Sequence, residues 1–504
     1  MKNVNQIFTV VKIRINSLNP VVILLILLLP LFFINIHGYT DWGDDFALYL
    51  HQAKKIAECQ SPQDTRLIYN EDNPVMIANV SVGFSILLVP VYLIFGLNFK
   101  AFSVYMTIFL VLAGISLFYF FRKYIPVWIS VLMVLLIVYH RFTLDFKQYV
   151  LSDIPFIAFF FFLIYQFEKH REYSIRFALL MGLLIGYLMN IRSIGIVFPL
   201  AVLANLIPGI FGFFNKKSSR FDFSKQFIFS AVVVVTSFAT FFIIKKIAFP
   251  KPAEGGYLSY FLQHDVNTVI LKNVKNYLDW FQWFFTFKKI THGIQLLFYY
   301  IFTILMLIGL INKIRKSVQL TDWLFFLTVF ILLIYPANPG FRYLLPVMPF
   351  LFIYFYFGML WLSRFLNKKW LKVQYLIPVL LLVLYYPGIV WHIETKDYPS
   401  GTEQASAQEI FSYITENTPE DAVIVFKKPR ALSLYTNRYG LANNSQERNP
   451  FRLDYLYKKY KVNYFLENTT EIPDSALIIY LKAFPSRNKL IYSNNEFRLY
   501  KFLP

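Results

Sequence analysis

Residues 101–121 read AFSVYMTIFLVLAGISLFYFF, a stretch without a charged side chain, and the basic pair Arg122 and Lys123 follows directly. A helix of about 20 such residues crosses the roughly 30 Å hydrocarbon layer of a bilayer. Similar runs recur along the chain, which has 504 residues, 57% of them apolar and only 15% charged. Because lipid offers no partner to backbone polar groups, these runs predict membrane-spanning helices.

Short basic loops between the apolar runs predict the orientation of the chain. The positive-inside rule places these loops in the cytoplasm, so the N-terminus is expected inside and the segment after Trp391 outside. The sequence therefore predicts an α-helical polytopic membrane protein with about eleven transmembrane helices. The expected spans are residues 18–36, 101–121, 127–140, 154–168, 175–190, 194–213, 226–248, 292–312, 322–336, 343–362 and 373–392. Residues 82–96 are left out, because a crossing there would move every later basic loop outside; we expect them to lie along or dip into the outer interface.

Two domains are predicted. Residues 1–392 form a transmembrane domain with an external loop at 37–100, which carries juxtamembrane helices, and a second external loop at 249–291. The second loop is rich in aromatic residues, and an interfacial belt explains it more simply than specific lipid recognition. Residues 393–504 have ordinary polarity and predict a small extracytoplasmic α/β domain. Its expected elements are a helix at 404–417, strands at 422–426 and 462–466, and a hairpin of 490–493 with 497–502.

Composition and motifs exclude several classes of protein. The net charge of +20 resides in the loop clusters and is not interleaved with a nucleic-acid motif, so we expect membrane lipid and no nucleic acid as a partner. The single cysteine, Cys59, excludes an intramolecular disulfide framework and a cysteine metal cluster. His140, His264 and His292 are scattered, and each is explained more simply as an interfacial residue than as a zinc ligand.

Acidic residues cluster where the first external loop begins. The stretch Asp41-Trp42-Gly43-Asp44-Asp45 carries three carboxylates directly after the first expected span. Like charges this close raise one another's pKa unless a cation or a hydrogen-bond donor compensates. Two interpretations stand side by side: a general base in a site at the membrane surface, or a solvated acidic loop that enforces orientation. Tyr49 follows Asp45 by four positions, so one helical face carries both.

A further aspartate and two arginines stand at similar depth. Asp153 has a structural explanation, because Ser152 or Asp153 can cap a helix, and a functional one as a second carboxylate facing the same cavity. Arg192 lies between two apolar runs, and Arg342 stands beside Tyr343 at the outer start of a helix. A guanidinium near membrane depth is costly unless it pairs or faces a cavity, and its planar fork suits a phosphate. Snorkelling to the headgroups explains either arginine alone, but both together with external carboxylates indicate a site for an anionic lipid head.

In this order, the motifs resemble the GT-C superfamily of polyprenyl-phosphate-dependent glycosyltransferases. The nearest branch is that of bacterial proteins related to protein O-mannosyltransferases and lipid A aminoarabinose transferases. The matching segments are residues 44–53 with an acidic pair, Tyr and Ala; 151–155; 181–186 leading to Arg192; 342–349; and 416–424. The family commonly has Asp-Glu where this chain has Asp44-Asp45. The base therefore stays open between these two residues, and the spacing to Tyr49 favours Asp45.

The resemblance implies a GT-C-like fold and a membrane glycosyltransferase, either a hexosyl- or a pentosyltransferase. It would move a sugar from a polyprenyl-phosphate donor to a hydroxyl of a glycan, lipid or protein acceptor, with inversion, at the outer face of the cytoplasmic (inner) membrane. The implied roles are Asp45 or Asp44 as the base, Asp153 as a catalytic residue that orients the acceptor or balances the arginines, and Arg342, Arg192 and Tyr343 as the donor-phosphate site. Tyr49, Asp145 and Arg141 are candidate contacts to acceptor or donor. No cofactor is assigned, and a divalent cation stays open because only some branches use one.

Two other classes remain as alternatives. A transporter or flippase of lipid-linked sugars would line its path with intramembrane Arg and Asp. Against it, the sequence shows no internal repeat and no paired broken helices at matching positions. A non-catalytic anchor that displays the terminal domain is the third class, and about eleven helices exceed that task.

Overall fold

The computed structural model describes residues 19–70, 73, 81–170, 173–207, 220–251, 264–286, 291–336, 340–365, 380, 383–384, 401–444 and 446–503. The expected span at 373–392 lies outside the described residues, apart from residues 380, 383 and 384. Parts of the expected external loops, at 71–72, 74–80, 252–263 and 287–290, lie outside them as well.

The regular elements described in residues 19–365 are all helices, joined by loops. Its α-helices are α1 (Pro20–Leu28), α2 (Asp45–Ala57), α3 (Gly83–Phe95), α4 (Phe99–Arg122), α5 (Val127–Val138), α6 (Arg141–Gln148), α7 (Asp153–Lys169), α8 (Ile175–Ile191), α9 (Val197–Ala204), α10 (Arg220–Ala248), α11 (Val266–Trp283), α12 (His292–Ile314), α13 (Leu320–Ile334) and α14 (Met348–Leu362). Three 3-10 turns accompany them at Leu29–Phe33, Ser193–Ile196 and Phe341–Leu344. One continuous apolar core joins these helices.

Helix length and composition support a membrane location. Helix α4, helix α12 and the Phe223–Ala248 part of α10 are long and apolar enough to cross a bilayer. Helices α5 and α6 pass the same test only as a pair, bent by 57° at their break. Other apolar helices are shorter, namely α3, α8, α13 and α14. Helices α1 and α9 are also shorter, even when each is counted together with its adjoining 3-10 turn. The predicted apolar helical architecture is confirmed, whereas the count of about eleven spans stays a prediction.

Helix α3 occupies the run that was left out of the expected spans. It has 13 residues, and at 1.5 Å per residue it is about 20 Å long, too short for a perpendicular crossing. It packs on α2, where the Ser85 hydroxyl donates to the Gln52 side-chain oxygen at 2.7 Å. An interfacial placement of α3 stays a prediction.

Polar side chains gather at the two ends of α7. Asp153 begins the helix, and Glu168 near its other end accepts from the Lys123 ammonium at 2.8 Å. At that second end, Lys313 and Asp322 also form a buried ion pair. The 17-residue helix is about 25 Å long, so the two groups lie at opposite ends of the helical part.

The terminal part is a five-stranded sheet covered by helices. Its elements are α15 (Ala405–Asn417), β1 (Val423–Val425), α16 (Pro429–Thr436), β2 (Tyr439–Leu441), α17 (Pro450–Lys459), β3 (Tyr464–Asn468), α18 (Ser475–Ala483), β4 (Asn488–Ser493) and β5 (Phe497–Phe502). The strand order is β2-β1-β3-β5-β4, with β1 parallel to β2 and β3, and with β5 antiparallel to β3 and β4.

Alternating side chains give this sheet two buried faces. Ile424 enters one apolar cluster with Phe411 of α15, while Val423 and Val425 enter another with Tyr480 of α18. The predicted helix, the hairpin and both strands are present within a few residues. The sequence interpretation missed strand β2 and helices α16, α17 and α18. The division of the chain at residue 392 stays a prediction.

Two glycines bring α12 and α14 together. A Cβ on Gly358 would lie 1.9 Å from the Leu305 carbonyl oxygen, and one on Gly309 would lie 1.8 Å from that of Tyr354. We expect Gly358→Ala to destabilise the protein by about 1–3 kcal/mol, because backbone atoms must separate. Thermal unfolding in detergent measures this. Gly293→Ala in α12 is the control, since nothing lies within 4 Å of its Cβ; an equal effect of both substitutions would contradict the prediction.

Candidate active site

Helix α2 presents the acidic pair at its first turn. Asp44 is the N-cap residue and Asp45 the first residue, and no side-chain capping bond satisfies the helix end. The expected helical face is present: Tyr49 and Ala53 of the same helix are buried, whereas the Asp45 side chain is 39% exposed. The pair of aspartates is therefore available for other partners.

A buried lysine fixes the segment that leads to this pair. Lys147 of α6 is fully buried and donates to the carbonyl oxygens of Leu31 and Ile34 and to the Thr107 hydroxyl. These carbonyls lie where the first helix ends, and a helix leaves its last carbonyls without intrahelical partners. The lysine thus ties the end of the first helix to α4 and α6, directly before the acidic stretch.

Two arginines hold the Asp45 carboxylate, one at each oxygen. Arg342 donates from Nη2 to Oδ2 at 2.8 Å, and Arg430 donates from Nη1 to Oδ1 at 3.1 Å. Arg342 comes from the 3-10 turn before α14, and Arg430 from α16 of the terminal part. Charge-assisted bonds of this kind fix both the orientation and the charge of a carboxylate.

The two neighbouring aspartates have different electrostatic environments. Burial raises the pKa of Asp44 above its ordinary value, and the nearby Arg430 offsets this only in part, with the two groups 3.8 Å apart. Burial also acts to raise the pKa of Asp45, but Arg342 and Arg430 outweigh it and hold that pKa below its ordinary value. Asp45 is thus the member of the pair whose charged form its surroundings favour more strongly.

A second ion pair lies beside the first. Asp153 begins α7 and pairs with Arg192, the residue that ends α8. The guanidinium carbons of Arg192 and Arg342 lie 4.8 Å and 5.5 Å from the centre of the same Tyr343 ring. Ser152 occupies the N-cap position of α7 without capping it, and its hydroxyl lies 3.2 Å from that of Tyr49. The structure thus gathers both arginines, Tyr343 and the aspartates in one cluster.

A cavity of about 210 Å³ opens beside Asp44 and Asp45. Its lining residues are Asp41, Gly43, Asp44, Asp45, Phe46, Phe146, Tyr149, Leu151 and Arg342. The mixture of carboxylates, a guanidinium and aromatic rings suits a ligand that is both anionic and rich in hydroxyl and apolar groups. The cluster is therefore a candidate active site.

Proteins of known structure share this architecture at low sequence identity. An oligosaccharyltransferase from Archaeoglobus fulgidus, solved with a tethered acceptor peptide containing the NVT sequon, aligns with 89% of this chain and 68% of its own, at 12% identity and a TM-score of 0.54. ArnT from Cupriavidus metallidurans bound to undecaprenyl phosphate aligns with 95% of this chain and 97% of its own, at 13% identity and a TM-score of 0.52. Both neighbours are GT-C glycosyltransferases. The chain has the GT-C fold.

The GT-C fold confirms the resemblance seen in the sequence motifs. The structure of this ArnT in the apo state aligns with 95% of this chain and 97% of its own, at 14% identity and a TM-score of 0.54. No protein-family model matches the sequence, and no curated protein matches it significantly.

Two residues that the sequence predicts as donor or acceptor contacts do not line the cavity. Arg141 begins α6 with its guanidinium carbon 4.5 Å from the centre of the Phe142 ring, and Asp145 follows on the same helix. Neither is among the residues that line the described cavity. His140 is buried and stacks on Phe284 at 4.3 Å, so it is a packing residue rather than an interfacial one.

Guanidinium groups already bind two carboxylates of the cluster. Arg342 and Arg430 hold the two oxygens of Asp45, and Arg192 pairs with Asp153. Each of these carboxylates already has a cationic partner, so a cation would have to displace guanidinium groups. Within the described part of the chain, no group of three His, Cys, Asp or Glu side chains gathers as a metal site.

The sequence interpretation missed Arg430, the residue by which the terminal part reaches this site. Arg430 follows Lys427-Lys428-Pro429, a stretch that reads as an ordinary helix start in a polar domain. The acidic stretch also contains Trp42, for which the sequence predicts no role. In the structure its ring is buried between Phe411, Phe426 and Phe497, and its Nε1 donates to Glu471 at 3.2 Å. The acidic stretch is thus anchored inside the terminal core.

Trp42 should be the main attachment of the first loop to the terminal part. We expect Trp42→Ala to weaken this packing by about 3–5 kcal/mol, the usual cost of deleting a buried aromatic side chain. Limited proteolysis of the full-length protein should then cleave around residues 37–44 faster than in the wild type. Trp283→Ala, at a side chain 45% exposed on α11, is the control; equal cleavage of the two variants would contradict this role.

Proposed function

We propose that this protein transfers a sugar from a polyprenyl-phosphate donor to an acceptor hydroxyl at the outer face of the cytoplasmic membrane. The observation that carries the proposal is the Asp45 carboxylate, oriented by two guanidinium groups at the edge of a cavity. The GT-C fold and its prenyl-phosphate-bound neighbour support the same class of donor.

Asp45 acts as the general base in this proposal. An alcohol is a weak nucleophile near neutral pH, so a positioned carboxylate must accept its proton as the new bond forms. The acceptor oxygen bonds to the anomeric carbon, while the bond from that carbon to the phosphate oxygen breaks. Its electron pair leaves with the phosphate, and attack from the opposite face inverts the anomeric carbon. Asp44, which is buried and accepts from the backbone N–H of Ala431, is not assigned this role.

Arg342 and Arg192 hold the donor phosphate. Both guanidinium groups lie against Tyr343, and they stabilise the negative charge that builds up on the leaving phosphate. Asp153 keeps Arg192 in place and balances its charge before the donor binds. Tyr49 aligns α7 with α2 through its contact with Ser152.

The separation of the two polar groups along α7 supports the placement of the site outside. The end with Lys123, Lys313 and other basic residues suits the cytoplasm under the positive-inside rule. The Asp45 cavity lies at the opposite end, together with the terminal part, which we assign to the extracytoplasmic side.

A donor-consumption assay tests the proposed function. Purified full-length protein in nanodiscs is incubated with undecaprenyl-phosphate hexoses and pentoses, together with an envelope extract as the acceptor source. Mass spectrometry follows the release of undecaprenyl phosphate. We expect acceptor-dependent release from at least one donor; the absence of release from every donor, with an active ArnT preparation as the positive control, would overturn the proposal.

A further inference from the structure

Arg430 of α16 forms ion contacts with the acidic pair, although it belongs to the terminal part of the chain. Its guanidinium lies 3.1 Å from Asp45 and 3.8 Å from Asp44. The backbone N–H of Ala431 also faces the Asp44 Oδ1 at 3.4 Å. The Arg430 residue is only 7% exposed, so this is a buried contact between the two parts.

The contact is supported by further attachments between the first loop and the terminal sheet. The backbone N–H of Ile68 donates to the Gly440 carbonyl at 3.0 Å, and the Gly440 N–H donates to the Arg66 carbonyl at 2.9 Å. The loop thereby adds a short parallel pairing to the β2 edge. Gly440 in turn lies tightly against Pro429, where a Cβ would come within 2.5 Å of the carbonyl oxygen. Helix α16 is therefore fixed over α2.

The charged groups of the cluster are already paired before a donor arrives. Arg192 pairs with Asp153, and Arg342 and Arg430 both bind Asp45. A donor phosphate adds negative charge and competes with these carboxylates for the guanidinium groups. Asp45 can release one guanidinium and keep the other, because Arg342 and Arg430 bind different oxygens.

We infer that Arg430 is a positioning residue of the proposed transfer, which keeps Asp45 aimed at the acceptor when Arg342 turns to the donor phosphate. This inference rests on the proposed function and deepens it. The terminal part thereby completes the site instead of only covering it. Arg430 itself touches neither the phosphate nor the sugar in this scheme.

The sign of the expected pH effect follows from the charge on Arg430. Asp45 is active as the carboxylate, and the two guanidinium groups hold its pKa below its ordinary value of 3.8. Without Arg430 the pKa of Asp45 rises. The acidic limb of the rate profile should then move to higher pH, while a loss of packing alone would leave this limb in place.

Kinetics of Arg430→Met and Arg430→Lys test the inference in the full-length protein. We expect Arg430→Met to lower kcat by at least about tenfold, because a misplaced catalytic group loses this much or more. The donor KM should change less than twofold, and the acidic limb should move to higher pH. Arg430→Lys should restore part of the rate and return the limb towards that of the wild type.

Arg487→Met is the matched control, since Arg487 forms an ion pair with Asp454 in the terminal part, away from the cavity. It should leave both rate and pH profile unchanged. An unmoved acidic limb in Arg430→Met, or a lysine variant no better than the methionine variant at equal thermal stability, would overturn the inference alone. A wild type without transfer from any donor would overturn the proposed function as well.

Discussion

Replacing Asp45 by Asn should reduce sugar transfer by about 10²–10⁴-fold, the usual contribution of general base catalysis. The amide keeps the size of the side chain but cannot accept the acceptor proton, and it loses both ion pairs with arginine, because its charge is gone and one oxygen becomes a donor. The measurement is the initial rate of undecaprenyl phosphate release at saturating donor. Asp45→Glu should retain more activity than Asp45→Asn, because it preserves the carboxylate.

Two further variants separate catalysis from folding in this experiment. Asp44→Asn should cost much less activity, because burial already favours the neutral form of Asp44 by raising its pKa. Asp454→Asn removes a carboxylate with two cationic partners in the terminal part and should leave the rate unchanged. A larger loss in Asp44→Asn than in Asp45→Asn would assign the base to Asp44 instead.

Arg342→Met should have the second large effect, a loss of about 10²–10³-fold in kcat/KM for the donor. Arg342 stands between the Asp45 carboxylate and the Tyr343 ring, so its removal takes away a phosphate partner and a partner of the base. A rise in the donor KM should accompany the fall in kcat. This distinguishes the variant from Arg430→Met, in which the donor KM stays nearly constant.

Arg364→Met is the control for the loss of positive charge. Arg364 lines a different cavity, together with Lys313 and Lys316, at the other end of the helical part. Its replacement should leave donor kinetics unchanged. A donor KM that is unaltered in Arg342→Met would contradict the assignment of Arg342 to the phosphate.

Local patterns in the sequence predicted the elements of the fold well. Apolar runs and their basic flanks located α4, α7 and α12 to within a few residues, because a bilayer constrains both the length and the composition of a span. The hairpin of β4 and β5 followed from two strand-like runs around Asn494 and Asn495. Helix α16 was missed because it has only 8 residues, too few for an apolar pattern to stand out in a polar stretch.

The sequence identified the arginines of the site only where a charged side chain has a high energetic cost. Arg192 and Arg342 stood out because a guanidinium near lipid needs a partner, and both have one. Arg430 lies in a domain of ordinary polarity, where an arginine has no such cost. Its contact with Asp45 joins residues 385 positions apart, and no local pattern predicts a pairing at that distance.

Occupation of the cavity beside Arg342 by a prenyl phosphate is the most direct test of this scheme. An undecaprenyl phosphate analogue with a photoreactive group next to the phosphate is irradiated with the full-length protein, and the labelled peptides are mapped. Label should appear on the peptides around Phe146 and Arg342, and both excess undecaprenyl phosphate and Arg342→Met should suppress it. Label confined to the opposite end, around Lys316 and Arg364, would contradict the scheme.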